Sequence, residues 1–314
     1  MAELLDGVRA GRPRAVGRLI SLVEDGSDVL PAIMAALAAD TGRAFVLGLT
    51  GPPGAGKSTT AAALVGALRA RGERVGVLAV DPTSPFTGGA LLGDRVRMQE
   101  HALDGEVLIR SMATRGHLGG LSVAAPQALR VFDAAGCTTV VIETVGVGQS
   151  EVDVAAAADA TVVLLAPGMG DGVQAAKAGI LEIGDVFVVN KADRDGTQPL
   201  VRDLRTMVAL TEREPTAWKP PVLTTVATDG TGVPELLAAV DRFRNHQQAS
   251  GEQARRRLER ARREVEGLAL ATLRRRLRNQ GAGALDDLGG AVRDGRTDPY
   301  AAAAELLRRL PDEG

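Results

Sequence analysis

"GPPGAGKST", residues 51–59, follows a short apolar run and opens an alanine-rich stretch with helical spacing. A strand, a glycine turn and a helix start are the context that the pattern G-x-x-x-x-G-K-[ST] requires. In such a loop the backbone amides of Gly51, Pro52, Pro53, Gly54, Ala55 and Gly56 wrap an anionic phosphate (the prolines contribute shape, not donors), and the helix dipole adds to the attraction. Lys57 is expected to reach the β and γ oxygens, the Ser58 hydroxyl to ligate magnesium, and Thr59, just after the motif, to join in binding the nucleotide. Only four of the 37 basic residues are lysines, Lys57, Lys177, Lys191 and Lys219. Where arginine has displaced lysine almost everywhere, a retained lysine hints that a compact ammonium is wanted.

On either side of this loop, β-branched or apolar runs alternate with longer helical stretches. The runs are "AFVLGLT" (44–50), "RVGVLAV" (74–80), "EVLIRS" (106–111), "TTVVI" (138–142), "ATVVLLA" (160–166), "DVFVVN" (185–190) and "PVLTTV" (221–226). This alternation predicts an α/β fold: a P-loop NTPase with a mostly parallel central sheet covered by helices on both faces. Ligands in such sheets sit beyond the carboxyl ends of the strands. Residues 1–40 read as an N-terminal helical extension, 41–248 as the P-loop domain, and 249–314 as a C-terminal helical arm. That arm comprises a long arginine-rich helix, a Gly/Asp-rich break and a last helix at "DPYAAAAELLRRL". The arginines read as a solvated helix face, with a dimer-forming arm as the competing reading.

The formal net charge of −2 gives no reason to expect a nucleic-acid or anionic-membrane partner. One cysteine, Cys137, excludes an internal disulfide and a CxxC pair. The amino terminus lacks a signal-peptide core, and "VLPAIMAALAA" (29–39) is too short to span a bilayer, so a cytoplasmic protein is expected.

"NKAD", residues 190–193, ends an apolar run where a base-recognition loop belongs. The Asp193 carboxylate can accept both N1–H and the exocyclic amine of guanine, whereas adenine would leave it unpaired in a buried site. Asn190 would tie this loop to the P-loop, the Lys191 stem would lie along the ring, and Ala227 in "TTVATDGTG" would offer its backbone to the guanine oxygen.

"TTVVIETVGVGQSEVD", 138–153, carries Glu-Thr-Val-Gly where a regulatory GTPase usually shows Asp-x-x-Gly. Glu143 ends the run from which a carboxylate would face magnesium and the γ-phosphate, and the Gly146 amide could read that phosphate. Asp81, at the end of the second run, and Asp94, across a Pro/Gly-rich loop, are further candidates for the magnesium. Asp94 serves equally well as the N-cap of a helix over "RVRMQEHAL". No glutamine or arginine is assignable as the group that orients water; Gln149 reads better as structural. Lys57 and Glu143 are therefore the candidate catalytic residues.

Together with these motifs, "MATRGHLGGLS" (112–122), "PGMGDGVQAAKAGILEIGDVFVVNKAD" (167–193) and the terminal "DPYAAAAELL" resemble the MeaB/ArgK group of methylmalonyl-CoA mutase-associated GTPases, over about residues 40–310. The resemblance implies a homodimeric, magnesium-dependent GTPase binding GTP and GDP. It also implies a chaperone role toward an adenosylcobalamin-dependent acyl-CoA mutase. It places magnesium-linked residues at Ser58, Asp81, Asp94 and Glu143, and a switch segment that relays nucleotide state at Asp171, Gln174 and Lys177. Gly172 departs from the second acid common in the family, which weakens the expected switch. Two rivals are a nickel-delivery GTPase, against which the scattered His101, His117 and His246 argue, and a small-molecule kinase, against which NKAD argues.

Overall fold

The computed structural model describes residues 1–81, 98–101, 103–113, 120–144, 150–169, 182–211, 214, 216–280 and 282–309. All seven predicted strands are present: β1 (Phe45–Thr50), β2 (Val75–Asp81), β3 (Val107–Ala113), β4 (Thr139–Thr144), β5 (Ala160–Leu165), β6 (Val186–Asn190) and β7 (Val222–Thr225). They form one sheet in the order β3-β2-β4-β1-β5-β6-β7, with every pairing parallel. β1, β4, β5 and β6 are buried along their whole length, as expected of strands covered on both faces.

The strand period of two sorts side chains into two apolar layers. Val46, Leu78, Val140 and Ile142 point to one face, where they meet helices α1 (Ala2–Arg9), α2 (Pro13–Glu24), α3 (Leu30–Leu37), α5 (Gly120–Ala134) and α6 (Ser150–Ala157). Leu47, Leu49, Val77, Val141 and Val162 point to the other, under α4 (Lys57–Ala70) and the helix Val233–Ser250. We number the remaining helices α7 (Thr197–Leu210), α8 (Val233–Ser250), α9 (Glu252–Gln280), α10 (Ala282–Arg293) and α11 (Pro299–Arg308). The chain divides into two compact units, Met1–Arg260 and Ala261–Gly314. Residues 1–40 share the first unit's core through Val8, Leu19, Ile20, Ile33 and Leu37, all fully buried.

Two sequence expectations need correction. The Gly/Asp-rich break is mostly helix α10, because Leu285, Leu288 and Val292 recur three to four residues apart and outweigh the helix-weakening of Gly283, Gly289 and Gly290. The helix expected over "RVRMQEHAL" reduces, in its described part, to a 3-10 turn at Gln99–His101, entered through Met98 at φ +51°. The last helix starts as its sequence suggests. Asp298 caps α11 by accepting from the amides of Tyr300 (2.9 Å) and Ala301 (3.1 Å), and Pro299 occupies the first turn. Among the described residues no helix is long and apolar enough to cross a membrane.

The amino ends of the strands are held by carboxylates. Asp159 precedes β5 and accepts from the Val46 amide at 2.9 Å; Asp185 precedes β6 and accepts from the Thr161 amide at 2.9 Å. The first turns of α9 bring arginines onto both. Arg256 bonds Asp185 at 3.1 Å, and Arg257 (3.2 Å) and Arg260 bond Asp159. Burial pushes the Asp159 carboxyl up, but Arg260, Arg257 and the Val46 amide outweigh it and hold it below the usual carboxylate range.

Asp159→Asn is expected to cost about 2–3 kcal/mol at neutral pH, below the roughly 3–5 of a wholly buried pair because both arginines stay partly exposed. A depressed native pKa gives stability that is present above the unfolded value near 4 and lost as pH falls through the native one. The gap between wild type and variant in urea unfolding should therefore narrow below about pH 4.

Candidate functional site

β1 runs into the loop at Gly51, and the loop ends at Gly56, the N-cap of α4. Two glycines are demanded by geometry. Gly51 has φ +137°, and a Cβ there would lie 2.1 Å from the Leu164 carbonyl oxygen; Gly56 has φ +92°, and a Cβ would lie 2.3 Å from Asn190 Nδ2. Pro53, Gly54, Ser58 and Thr59 are exposed around the loop, while Pro52 and Ala55 are buried beneath it. Lys57 is only 7% exposed, and its ammonium donates to the carbonyls of Gly51 and of Pro52, the latter at 3.1 Å. A buried ammonium held by neutral carbonyls at a helix N-terminus suits an anion that brings its own oxygens.

The base-loop motif meets this loop directly. Asn190, 2% exposed at the end of β6, donates through Nδ2 to the Ala55 carbonyl at 2.9 Å. Its Oδ1 accepts from Thr225 Oγ1 at 3.0 Å and from the Ala227 amide at 3.1 Å. Lys191 stands in the left-handed region at φ +58°, and its ammonium donates to the Gly54 carbonyl at 2.7 Å. Asp193 is exposed on the turn that follows. Ala227 is buried, and the amide that sequence analysis offered to guanine here braces Asn190. Thr231 donates its amide to Asp229 at 2.9 Å, and that bond holds the Asp229 carboxyl below the usual range.

Glu143 is fully buried and shares its face with Val141, on the side of the sheet covered by α4. It pairs in register with Leu49 of β1 and Ala79 of β2, one residue short of the end of β4 rather than at it. Asp81 is the last residue of β2. Asp94, Gly146, Gln149, Asp171, Gly172, Gln174 and Lys177 lie outside the described residues.

The donors suit a hard cation held jointly with a nucleotide. Among the described residues there is no group of three or more His, Cys, Asp or Glu side chains that could hold a metal alone. Magnesium is characteristically bound by one or two protein oxygens plus substrate phosphates, and the Ser58 hydroxyl and Glu143 carboxylate are such oxygens. Among the described residues the soft donors are otherwise engaged. Cys137 is buried, and burial pushes its thiol up to about 12. His101 Nε2 bonds the Ala62 carbonyl at 2.9 Å, and the His246 ring packs 5.6 Å from Trp218.

Thr225 is a site residue that sequence reasoning missed, because a threonine near a strand end reads simply as a good strand former. Thr225→Val keeps the shape but leaves Asn190 Oδ1 a single donor. Losing this bond should weaken labelled GDP and a labelled GTP analogue equally, by about five-fold in fluorescence titration, since both present the same base.

The sequence matches the family model described as methylmalonyl Co-A mutase-associated GTPase MeaB over residues 16–282. A putative GTPase of Pyrococcus horikoshii is 44% identical over 310 residues, covering 98% of each protein. The mitochondrial methylmalonic aciduria type A homolog of Mus musculus is 41% identical over 216 residues, covering 68% of this chain and 52% of that protein. The solved structure of an LAO/AO transport system kinase superposes with a TM-score of 0.70 at 26% identity, covering 98% of this chain and 96% of that one.

Proposed function

We infer the function from one fact: this chain belongs to the MeaB family of methylmalonyl-CoA mutase-associated GTPases and is itself a P-loop GTPase. We propose that it hydrolyses GTP to GDP and phosphate with magnesium, and uses that cycle as a chaperone of an adenosylcobalamin-dependent acyl-CoA mutase. Gating of cofactor loading and protection or reactivation of the client is the role intended. The observation that supports a nucleotide site is Asn190, whose side chain binds the phosphate loop to the NKAD loop, and the guanine preference rests on Asp193 of that same motif. The family name and the relation to the mouse methylmalonic aciduria protein support the client.

In this reading Gly51–Thr59 cradle the phosphates and Asp193 recognises guanine from the exposed turn. Lys57 exchanges its bonds with Gly51 and Pro52 for the β and γ oxygens, following charge as it develops on the leaving side. Ser58 and Glu143 would hold magnesium, with Asp81 and Asp94 beside them. When bound there, magnesium would supply charge neutralisation to the phosphates. Gly146 would read the γ-phosphate, and Asp171, Gln174 and Lys177 would relay nucleotide state to the mutase.

We further propose that residues 249–314 form the dimerisation arm of a cytoplasmic homodimer. Val265 and Leu268 of α9 support this, since they are 68% and 38% exposed on a helix rich in arginine. The bond of His101 to Ala62 and the packing of His246 on Trp218 favour this reading over metal delivery.

Affinity capture from a native extract containing the mutase, with the protein loaded with GDP or with a non-hydrolysable GTP analogue, tests the client. Mass spectrometry should recover a cobalamin-dependent mutase subunit in amounts that differ between the two states. Its absence from both would mean that the client lies elsewhere.

A further inference from the structure

Met98–Asp104 is fastened to α4 at three successive places. Met98 is buried in the apolar layer with Ala61, Leu64 and Val65, yet has a left-handed backbone at φ +51°. A non-glycine residue keeps that conformation only where its surroundings over-determine it, and such outliers gather at clamps and switches. The 3-10 turn that follows brings His101 Nε2 to 2.9 Å from the Ala62 carbonyl oxygen. A carbonyl only accepts, so Nε2 carries the hydrogen. The ring lies beside Gly66, where a Cβ would make ordinary van der Waals contact 3.5 Å from Cε1. Farther along α4, Arg69 Nε donates to Asp104 Oδ2 at 2.8 Å, while Asp104 Oδ1 accepts from the Glu106 amide at 2.9 Å.

The helix so gripped begins with Lys57 and Ser58. We propose that His101 is a positioning residue for GTP hydrolysis: its bond to the Ala62 carbonyl braces the helix that carries Lys57 and Ser58. His101 touches neither nucleotide nor metal, and acts through α4. Arg69–Asp104 and Met98 set the segment's depth and direction, whereas the imidazole supplies the one directed hydrogen bond at the level of Ala62. This inference rests on the magnesium reading of Ser58 and its companions.

The test compares wild type, His101→Ala and His101→Gln, since glutamine can place an N–H near the position of Nε2. For each, the Mg2+ concentration that half-saturates binding of a fluorescent GTP analogue is measured. GDP affinity without Mg2+, the unfolding temperature and kcat are measured alongside. His101→Ala should need about ten-fold more Mg2+ and lose about ten-fold in kcat, the scale of one positioned hydrogen bond. Its Mg2+-free GDP affinity should stay within about two-fold of wild type, and His101→Gln should recover most of the loss. If wild-type binding ignores Mg2+, the magnesium reading itself fails. If wild type responds and His101→Ala responds identically, His101 is only a packing residue and the inference falls. It also falls if His101→Ala loses Mg2+-free GDP affinity and thermal stability together with turnover.

Discussion

The constraint on which the rest of this site depends is the buried carboxamide of Asn190, reinforced by the Lys191 ammonium on the Gly54 carbonyl. This one amide joins the phosphate loop through Ala55, the end of β7 through Thr225, and the following loop through Ala227. Because the group is buried, none of these bonds competes with water, and removing a donor or acceptor leaves its partner unsatisfied. The arrangement fixes the GPPGAGKST loop relative to the NKAD loop, which in the proposed reading pre-organises the site for a nucleotide. Gly56 belongs to the same constraint, since a Cβ there would collide with the Asn190 amide nitrogen.

The opposite end of the sheet is built for rigidity. Asp159 and Asp185 use the same device. Each donates its own amide to a carbonyl on the neighbouring strand, at 2.7 and 2.9 Å, and returns a carboxylate oxygen to the amide of that same neighbour. Asp133 does the equivalent for the entry to β1, accepting from the amides of Gly42, Arg43 and Ala44. Arg257 grips that entry from the other side, donating to the carbonyls of Gly42 and Ala44. The first turns of α9 are thus tied to the amino ends of β5, β6 and β1, and the strands that carry the nucleotide loops have one end fixed. Charges of this kind add specificity of register even where their net contribution to stability is modest.

Much of this was legible because it is written in local patterns. Continuous β-branched runs announced the buried strands, and the glycines around Lys57 announced the phosphate loop, since both depend on neighbours in sequence. Asn190 and Asp193 were legible through their place after an apolar run. Thr225 and His101 were not, because their roles are set by what the fold brings opposite them, a carboxamide 35 residues away and a helix carbonyl 39 residues away. Helix α10 was missed for a related reason: its glycines and aspartates argue locally for a break, and only the spacing of its three apolar residues argues for a helix. The acidic capping of β5 and β6 was equally hidden, since an aspartate before a strand looks like a turn residue until its arginines arrive from α9.

A P-loop site in which the sequence alone assigns no arginine or glutamine to water activation should turn over slowly until a client completes or reorders it. The most direct test is the steady-state GTP turnover of the purified chain, alone and with a stoichiometric adenosylcobalamin-dependent methylmalonyl-CoA mutase, at saturating Mg2+. Slow turnover alone that the mutase accelerates, with no response to an unrelated protein at the same concentration, is the predicted result. Fast turnover of the isolated chain, or a rate that the mutase leaves unchanged, would contradict the account.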